Sequence, residues 1–473
     1  MTRLLLSRLL ICTTVSLLLC ADLPTAFAQR DEPVKESRSG PRGSAQLTLK
    51  EAIRLGLDRH PSLEQSRYAS QAARAITKQI QGDQYPWIEA SVAGTSGSLR
   101  IVTSDGRTIH DRGGHGFDPG GALPHHNQNM LTGGLLVNQL ITDFGYTAHR
   151  VLAGRATEAA SEKASLTKKA LVILTVQKAY LNCLLQEQLV HVTEETLKRR
   201  RAVRDQVESL YRHQLKSKVD LDLIRVETSN AELALIRAQN DFKSNVAALN
   251  NAMGVQGPEA YDLQAVEFSV SSSLPDIDTL VTDGLQNRPE LLGGRDKIEA
   301  SDELLKAVKA LNFGSVSAVG SLGVTKYWDA HDSGIRDNEV APFWGLGATA
   351  RLPLFTGFKI RNQISEASHL RGEAEYDLQD IANEVVLQII RAYLTQTTNA
   401  EQIALEQQRV EYAKEALALA QERYRIGLSP IIDVIRATAV AFEAESGLAE
   451  AQYIYKTSEA VVAYATGQDY KRY

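Results

Sequence analysis

The chain has 473 residues, a net charge of −5 and only 6% aromatic residues. That length holds two or three ordinary domains, and abundant Ala, Leu, Gln and Glu favour long helices over a large β core. No basic tract dominates, which sets nucleic acid aside as a partner.

The first residues, MTRLLLSRLLICTTVSLLLCADLPTAFAQ, have the plan of a secretory signal. Arg3 and Arg8 flank an apolar core, and Ala26-Phe27-Ala28 supplies a small-x-small cleavage pattern. The stretch Leu9 to Leu19 is too short to span a bilayer as a helix. Cys20 follows Leu19, not the small residue that lipid attachment at a cysteine requires. Removal of residues 1–28 leaves Cys183 alone, so no disulfide is expected within the mature chain. Residues 29–46 are charged and rich in Gly, Pro and Ser, and read as disordered.

From Leu47 onward the chain says things twice. Arg59-His60-Pro61-Ser62-Leu63 recurs as Asn287-Arg288-Pro289-Glu290-Leu291, an offset of 228 (289 minus 61). Ala179-Tyr180-Leu181 recurs as Ala392-Tyr393-Leu394, and Gly254 as Gly467, at an offset of 213 (393 minus 180). The difference places about fifteen extra residues early in the first half, within the Gly- and His-bearing stretch Thr95 to Gln128. The reading is a tandem repeat, 47–255 and 274–467, with a linker at 256–273 and a tail at 468–473.

Four tracts alternate with period two: strands are expected at about 87–94, 130–141, 315–328 and 343–355. In the last, Trp344, Leu346, Ala348, Ala350 and Leu352 share a face opposite Gly345, Gly347, Thr349 and Arg351. In the third, Val316, Ala318, Leu322 and Val324 oppose Ser315, Ser317, Ser321 and Thr325. A soluble sheet lying on helices would alternate as cleanly. Two features favour a membrane. The tracts have about the 9–11 residues of a tilted spanning strand. Trp87, Trp328 and Trp344 also fall at or near expected strand ends, as in an interfacial aromatic girdle. Four strands cannot close a barrel, since the smallest have about eight, and open edges are not tolerated in lipid. Several chains must then share one barrel.

Between the strands run two pairs of long helical tracts, 146–211 with 219–253 and 358–424 with 431–466. The first of each pair would extend about 95–100 Å. Leu166, Ile173 and Tyr180 recur at sevens, as do Leu378, Val385 and Ala392, which points to packed antiparallel hairpins. Each pair is joined by a related phrase, YRHQLKSKVD (Tyr211 to Asp220) and YRIGLSPIID (Tyr424 to Asp433). Gly427 and Pro430 punctuate the second turn. Gln214 stands where the first would need the glycine, so that turn is expected to be built differently.

Catalytic and cofactor signatures are absent from the sequence: there is no Walker-type loop, paired-glycine nucleotide motif, CxxC set or HExxH. His110, His115, His125 and His126 read as loop residues, with metal binding the alternative. The run Lys198 to Arg201 reads as a solvated helix face.

The order, duplication and spacing of the HPSL and RPEL segments, the junctions LITDFG (Leu140 to Gly145) and LPLFTG (Leu352 to Gly357), and YRIGLSPIIDV resemble the TolC-type outer membrane efflux protein family. The resemblance covers Leu47 to Gly467. It implies a mainly α fold with a membrane β-barrel, in which a homotrimer gives four strands per subunit to a twelve-stranded barrel above a long α-helical periplasmic tunnel. It implies an outer membrane location and a passive exit duct, for efflux or type I secretion. It also implies two further partners, a periplasmic adaptor and an inner-membrane pump driven by protons or ATP. The periplasmic aperture gate then corresponds to Tyr424 and Asp433. Arg436 stands where some relatives place a second acid, so a doubled acidic constriction is not expected. Tyr211, Asp220 and Asp222 correspond to the outer hairpin tip and adaptor contact. A soluble periplasmic coiled-coil adaptor or structural protein, and a hydrolase using carboxylates, are the rival readings.

Overall fold

The computed structural model describes residues 46–98, 127–257, 259, 261–269, 275–328 and 340–472. The signal segment and the four loop histidines lie outside them. Two short helices open the described chain, α1 (Leu49–Arg59) and α2 (Pro61–Gly82). After a strand pair come α3 (Tyr146–Arg212) and α4 (Lys218–Ala252). The second half has the same lengths in the same order. Its helices are α5 (Ile277–Asn287), α6 (Pro289–Ala310), α7 (Lys359–Arg425) and α8 (Ile431–Ala465), and a last short helix, α9, covers Asp469–Arg472. Both α3 and α7 are 67 residues long, about 100 Å of unbroken rod.

Helix ends follow local chemistry. Thr48 caps α1 in a reciprocal box: its hydroxyl accepts from the Glu51 amide at 3.2 Å, and the Glu51 carboxylate accepts from the Thr48 amide at 3.0 Å. These bonds hold the Glu51 carboxyl below its ordinary pKa. Pro61 and Pro289 occupy first-turn positions of α2 and α6, where a missing N–H costs nothing. His60, the N-cap of α2, accepts the Ser62 amide through Nδ1 at 3.2 Å. Arg288 in the equivalent place is buried. Its guanidinium donates to the Tyr464 carbonyl and Gln388 Oε1 and pairs with Glu290 at 3.1 Å.

The recurring glycines have a structural reason. Gly254 and Gly467 follow α4 and α8 in the left-handed region, with φ of +70° and +68°. Each closes its helix with a Schellman pair, seen in Gly254 N–H to Asn251 O and Val255 N–H to Asn250 O. A Cβ on Gly254 would sit 2.8 Å from the Arg59 carbonyl oxygen, and one on Gly467 3.0 Å from the Asn287 carbonyl. The helix ends are thus pressed onto the HP and RP turns, and two matching cores form beside them. One gathers Ile53, Ile173, Val176, Tyr180, Leu249 and Met253; the other gathers Leu280, Leu291, Val385, Ile389 and Ala465.

The stretch expected to be a plain linker contains β4 (Asp262–Leu263), which pairs in parallel with β1 (Gln46–Leu47). The buried Tyr180 hydroxyl lies 2.7 Å from the carbonyls of both Leu47 and Gln264. The tail is also engaged, because Tyr470 donates to the Asn287 carbonyl at 3.0 Å.

Four longer strands, β2 (Trp87–Ser98), β3 (Asn127–Thr142), β5 (Ser315–Trp328) and β6 (Val340–Arg351), make one antiparallel sheet in the order β2-β3-β5-β6. The rung Ala90, Leu135, Leu322, Trp344 fixes which residues share a face. One face carries Ile88, Val92, Leu131, Leu135, Val316, Leu322, Val324, Trp344 and Leu346. The other carries Glu89, Ser91, Thr132, Asn138, Ser317, Ser321, Thr325 and Thr349. The apolar face is open in the single chain, with Trp344 84% and Leu346 83% exposed. No described helix is long and apolar enough to cross a membrane.

This register corrects the expected tryptophan girdle. β6 starts at Val340 rather than Phe343, because Val340 and Ala341 already pair with Lys326 and Thr325, so Trp344 lies inside the strand. Trp87 does begin β2, but pleating turns it to the face of Glu89 and Ser91, opposite Trp344. Trp328 ends β5 at the far end of the sheet, beside Asn129.

The helix-end contacts lead to a ranked expectation. Gly254→Ala and Gly467→Ala should each lose about 2–3 kcal/mol, because backbone strain and collision with the HP or RP turn add. Gly427→Ala, whose Cβ would meet nothing within 4 Å, should lose only about 1 kcal/mol. Denaturant midpoints of the helical circular dichroism signal check the order, and equal losses would contradict it.

Candidate functional site

The tips of the two helical hairpins are built alike. At the end of α3 the amide of Gln214 bonds to the Tyr211 carbonyl at 2.8 Å and that of Leu215 to Leu210 at 2.9 Å. At the end of α7 Gly427 bonds to Tyr424 at 3.0 Å and Leu428 to Arg423 at 2.8 Å. Both are Schellman turns, and the expectation of a differently built first turn is corrected. Gln214 simply adopts the left-handed conformation itself, with φ +62° against +80° for Gly427. The hydrogen bonds and the Leu215 position define the turn strongly enough to hold a non-glycine residue there. The difference lies one step on. Ser217 caps α4 by accepting the Asp220 amide at 3.1 Å, whereas Pro430 in the same place offers no side-chain cap to α8.

The tips meet through Tyr424. It is 2% exposed and packs in a cluster with Val207, Leu221 and Ile224 of the first hairpin and Ile431 and Val434 of the second. The Lys216 ammonium sits 4.3 Å from its ring centroid, a cation–π contact from the opposing turn. The Tyr424 hydroxyl is buried with no hydrogen-bond partner, as is that of Ser429. Burial, with the Asp220 carboxylate nearby, pushes the Tyr424 phenol up to about 12.

The remaining tip residues are distributed as follows. Asp220 and Asp433 are half-buried, each in the first turn of its helix, where a carboxylate also favours the helix dipole. Arg436 is exposed one turn beyond Asp433. Tyr211 is exposed, and Asp222 is exposed beside Arg225 at 3.8 Å. Tyr211 and Asp222 therefore lie outside the buried tip cluster, while Tyr424 and Asp220 lie at the joint between hairpins. Leu215, Val219, Ile426 and Leu428 are exposed apolar residues at the extreme tips.

Higher up, the basic run is a solvated face only in part: Lys198 and Arg201 are exposed, whereas Arg199 and Arg200 are half-buried, and that reading is corrected for these two. Arg200 and Arg201 of α3 pair with Glu227 and Glu232 of α4, the latter at 2.8 Å. Arg199 points the other way and pairs with Glu445 of α8 at 2.6 Å. Successive helix residues are fanned by about 100°, so one run can reach two neighbouring helices. Lys198 remains in solvent. The acidic partners of the three arginines lie 27 to 246 positions away, beyond the reach of any local pattern. Among the described residues no group of three or more His, Cys, Asp or Glu could hold a metal ion.

The arrangement is a sheet with one apolar face, long paired rods, and rod tips joined by a buried aromatic residue. The model of the family described as Outer membrane efflux protein matches residues 52–255 and 280–468. The chain is 23% identical over 447 residues to the outer membrane protein OprJ of Pseudomonas aeruginosa, covering 89% of this chain and 87% of that one. It is 23% identical over 299 residues to the outer membrane protein TolC of Vibrio cholerae, covering 63% and 67%. In fold it is similar to a membrane protein of Pseudomonas aeruginosa solved by crystallography, with a TM-score of 0.75, 19% identity and coverage of 89% and 90%. Because the match takes in both halves of the chain, with their short helices and both hairpins, this chain belongs to the outer membrane efflux protein family.

Proposed function

We propose that this chain is the outer membrane exit duct of a tripartite efflux or type I secretion system. The observation that carries the reading is the sheet, with its exposed apolar face and two unpaired edges, β2 and β6. A sheet of this kind becomes stable in hydrocarbon only when its edges are paired. Three copies would join edge to edge, β6 of one to β2 of the next, into a barrel of twelve strands whose polar face lines the pore. The hairpins α3–α4 and α7–α8 of the three copies would continue as the periplasmic tunnel. Such a duct is passive and makes or breaks no bonds. A periplasmic adaptor would engage the tips through the exposed Leu215, Val219 and Leu428, and an inner-membrane pump would select the cargo. Membrane fractionation with a test for a heat-sensitive trimer on gels checks the assembly. A washable monomer would overturn it.

The gate is assigned to the joint of the tips. Tyr424 holds the second hairpin against the first, and Asp433 and Arg436 stand at the start of α8, where a narrow aperture would form. With arginine at the second position, opposite charges alternate along the aperture instead of stacking two rings of carboxylates. Tyr424→Ala removes a buried ring worth about 3 kcal/mol and is expected to raise single-channel conductance in planar bilayers. Asp433→Ala should raise it as well. Unchanged conductance in both variants would remove these residues from the gate.

Tyr424→Phe separates the ring from its unpartnered hydroxyl. It is expected to stay closed, because nothing among the described residues bonds to that oxygen. The sign of the pH dependence follows from the raised phenol. Neutral Tyr424 is favoured in the closed tip, so its contribution is complete below the ordinary tyrosine pKa of about 10 and lost as pH rises towards about 12. The wild-type channel should open progressively across that window, and Tyr424→Phe should not. Identical alkaline profiles for the two proteins would assign the opening elsewhere.

A further inference from the structure

Above the tip cluster, α3 and α8 flank a cleft of about 500 Å³ lined by Gln188, His191, Glu195 and Arg199 of α3, Lys414 of α7 and Glu445 of α8, with Val192, Val410 and Leu448 adding apolar surface. The apolar cluster at this height, Ala413, Leu417, Ala441 and Ala444, belongs to α7 and α8 alone. One ion pair bridges the cleft. Arg199 donates from Nη2 to Glu445 Oε2 at 2.6 Å and from Nη1 to Oε1 at 3.4 Å. The two side chains are only 28% and 16% exposed, so the pair is shielded from solvent on most sides. Glu445 has a second cation, Lys414 of its own hairpin, 3.7 Å from Oε1. Arg199 likewise has a second acceptor on its own helix, the Glu195 carbonyl, at 3.3 Å from Nε.

We propose that Arg199–Glu445 is a reversible latch between the hairpins, distinct from the tip contacts, and that Lys414 is the counter-ion that lets it release. Lys414 and Glu445 sit on α7 and α8 and move together, while Arg199 sits on α3. Swinging the second hairpin away therefore breaks the Arg199 contact and leaves Lys414 beside Glu445. Neither partner is stranded: Glu445 keeps a cation, and Arg199 keeps its backbone acceptor in a cleft open to water. Breaking a partly buried pair is costly chiefly when one charge is left uncompensated, and this arrangement avoids that. The latch holds the closed state, and Lys414 stabilises the open one. These are positioning residues, since none needs to touch cargo.

The proposal rests on the gated-duct reading, and opposite signs test it. In planar bilayers Arg199→Ala should raise the open probability of the purified channel about three- to tenfold, and Glu445→Gln should do the same. Lys414→Ala should lower it, because Glu445 then depends on Arg199 alone. Arg199→Lys should restore part of the closure. If Arg199→Ala does not assemble, Glu445→Gln reads the same contact. A change of the same sign in Arg199→Ala and Lys414→Ala would mean general loosening and overturn the latch. Unchanged Arg199→Ala alongside an opened Tyr424→Ala would overturn it while leaving the tip gate in place. No response in any variant would instead count against the gated-duct reading.

Discussion

A backbone amide in hydrocarbon has no water to bond with, and every other feature of this molecule can be traced to that constraint. The β2-β3-β5-β6 sheet satisfies its inner strands but leaves β2 and β6 each with an open side. Among the described residues nothing covers its apolar face, from Ile88 to Leu346. The proposed assembly would give that face lipid and the edges further copies to pair with. Helices of 67 residues fit the same picture, because such rods are stabilised by lateral packing along their length rather than by a globular core.

Where the chain does need a core, it makes two related ones. The Gly254 and Gly467 seams press each hairpin's returning helix onto the HP or RP turn, so that short helices, rods and returning helices meet in one place per half. Tyr180 adds a tie in the first half alone, gathering the carbonyls of Leu47 and Gln264 that follow from the β1–β4 pairing. The halves share a plan but differ in fastening, as a buried Arg288 replaces His60 at the equivalent cap.

Away from those cores the two hairpins pack along their length, and the chemistry of their contacts differs with height. At the tip the joint is a buried apolar cluster around Tyr424. Midway it is the partly buried Arg199–Glu445 pair across a cleft. An apolar joint resists partial opening because burial is lost with area, whereas an ion pair whose members have alternative partners can exchange them.

Much of this was legible in the residues. Period-two alternation in Trp344 to Ala350 separated the two faces of a strand, although β6 ends at Arg351, short of the expected 355, and sevens through Ile173, Tyr180, Val385 and Ala392 marked positions that are buried. Doubled phrases located both turns and both glycine seams. These are local signals, set by the pleat, the helical repeat and the backbone freedom of glycine, so sequence alone determines them. Tertiary structure decided what depends on partners distant in the chain. Register placed Trp344 inside β6 and turned Trp87 to the opposite face. The azimuth of each rod determined that Arg199 meets Glu445 while Arg200 and Arg201 turn to α4. A run of four cations reads the same however its neighbours lie, and only the arrangement of helices around it assigns each charge a partner.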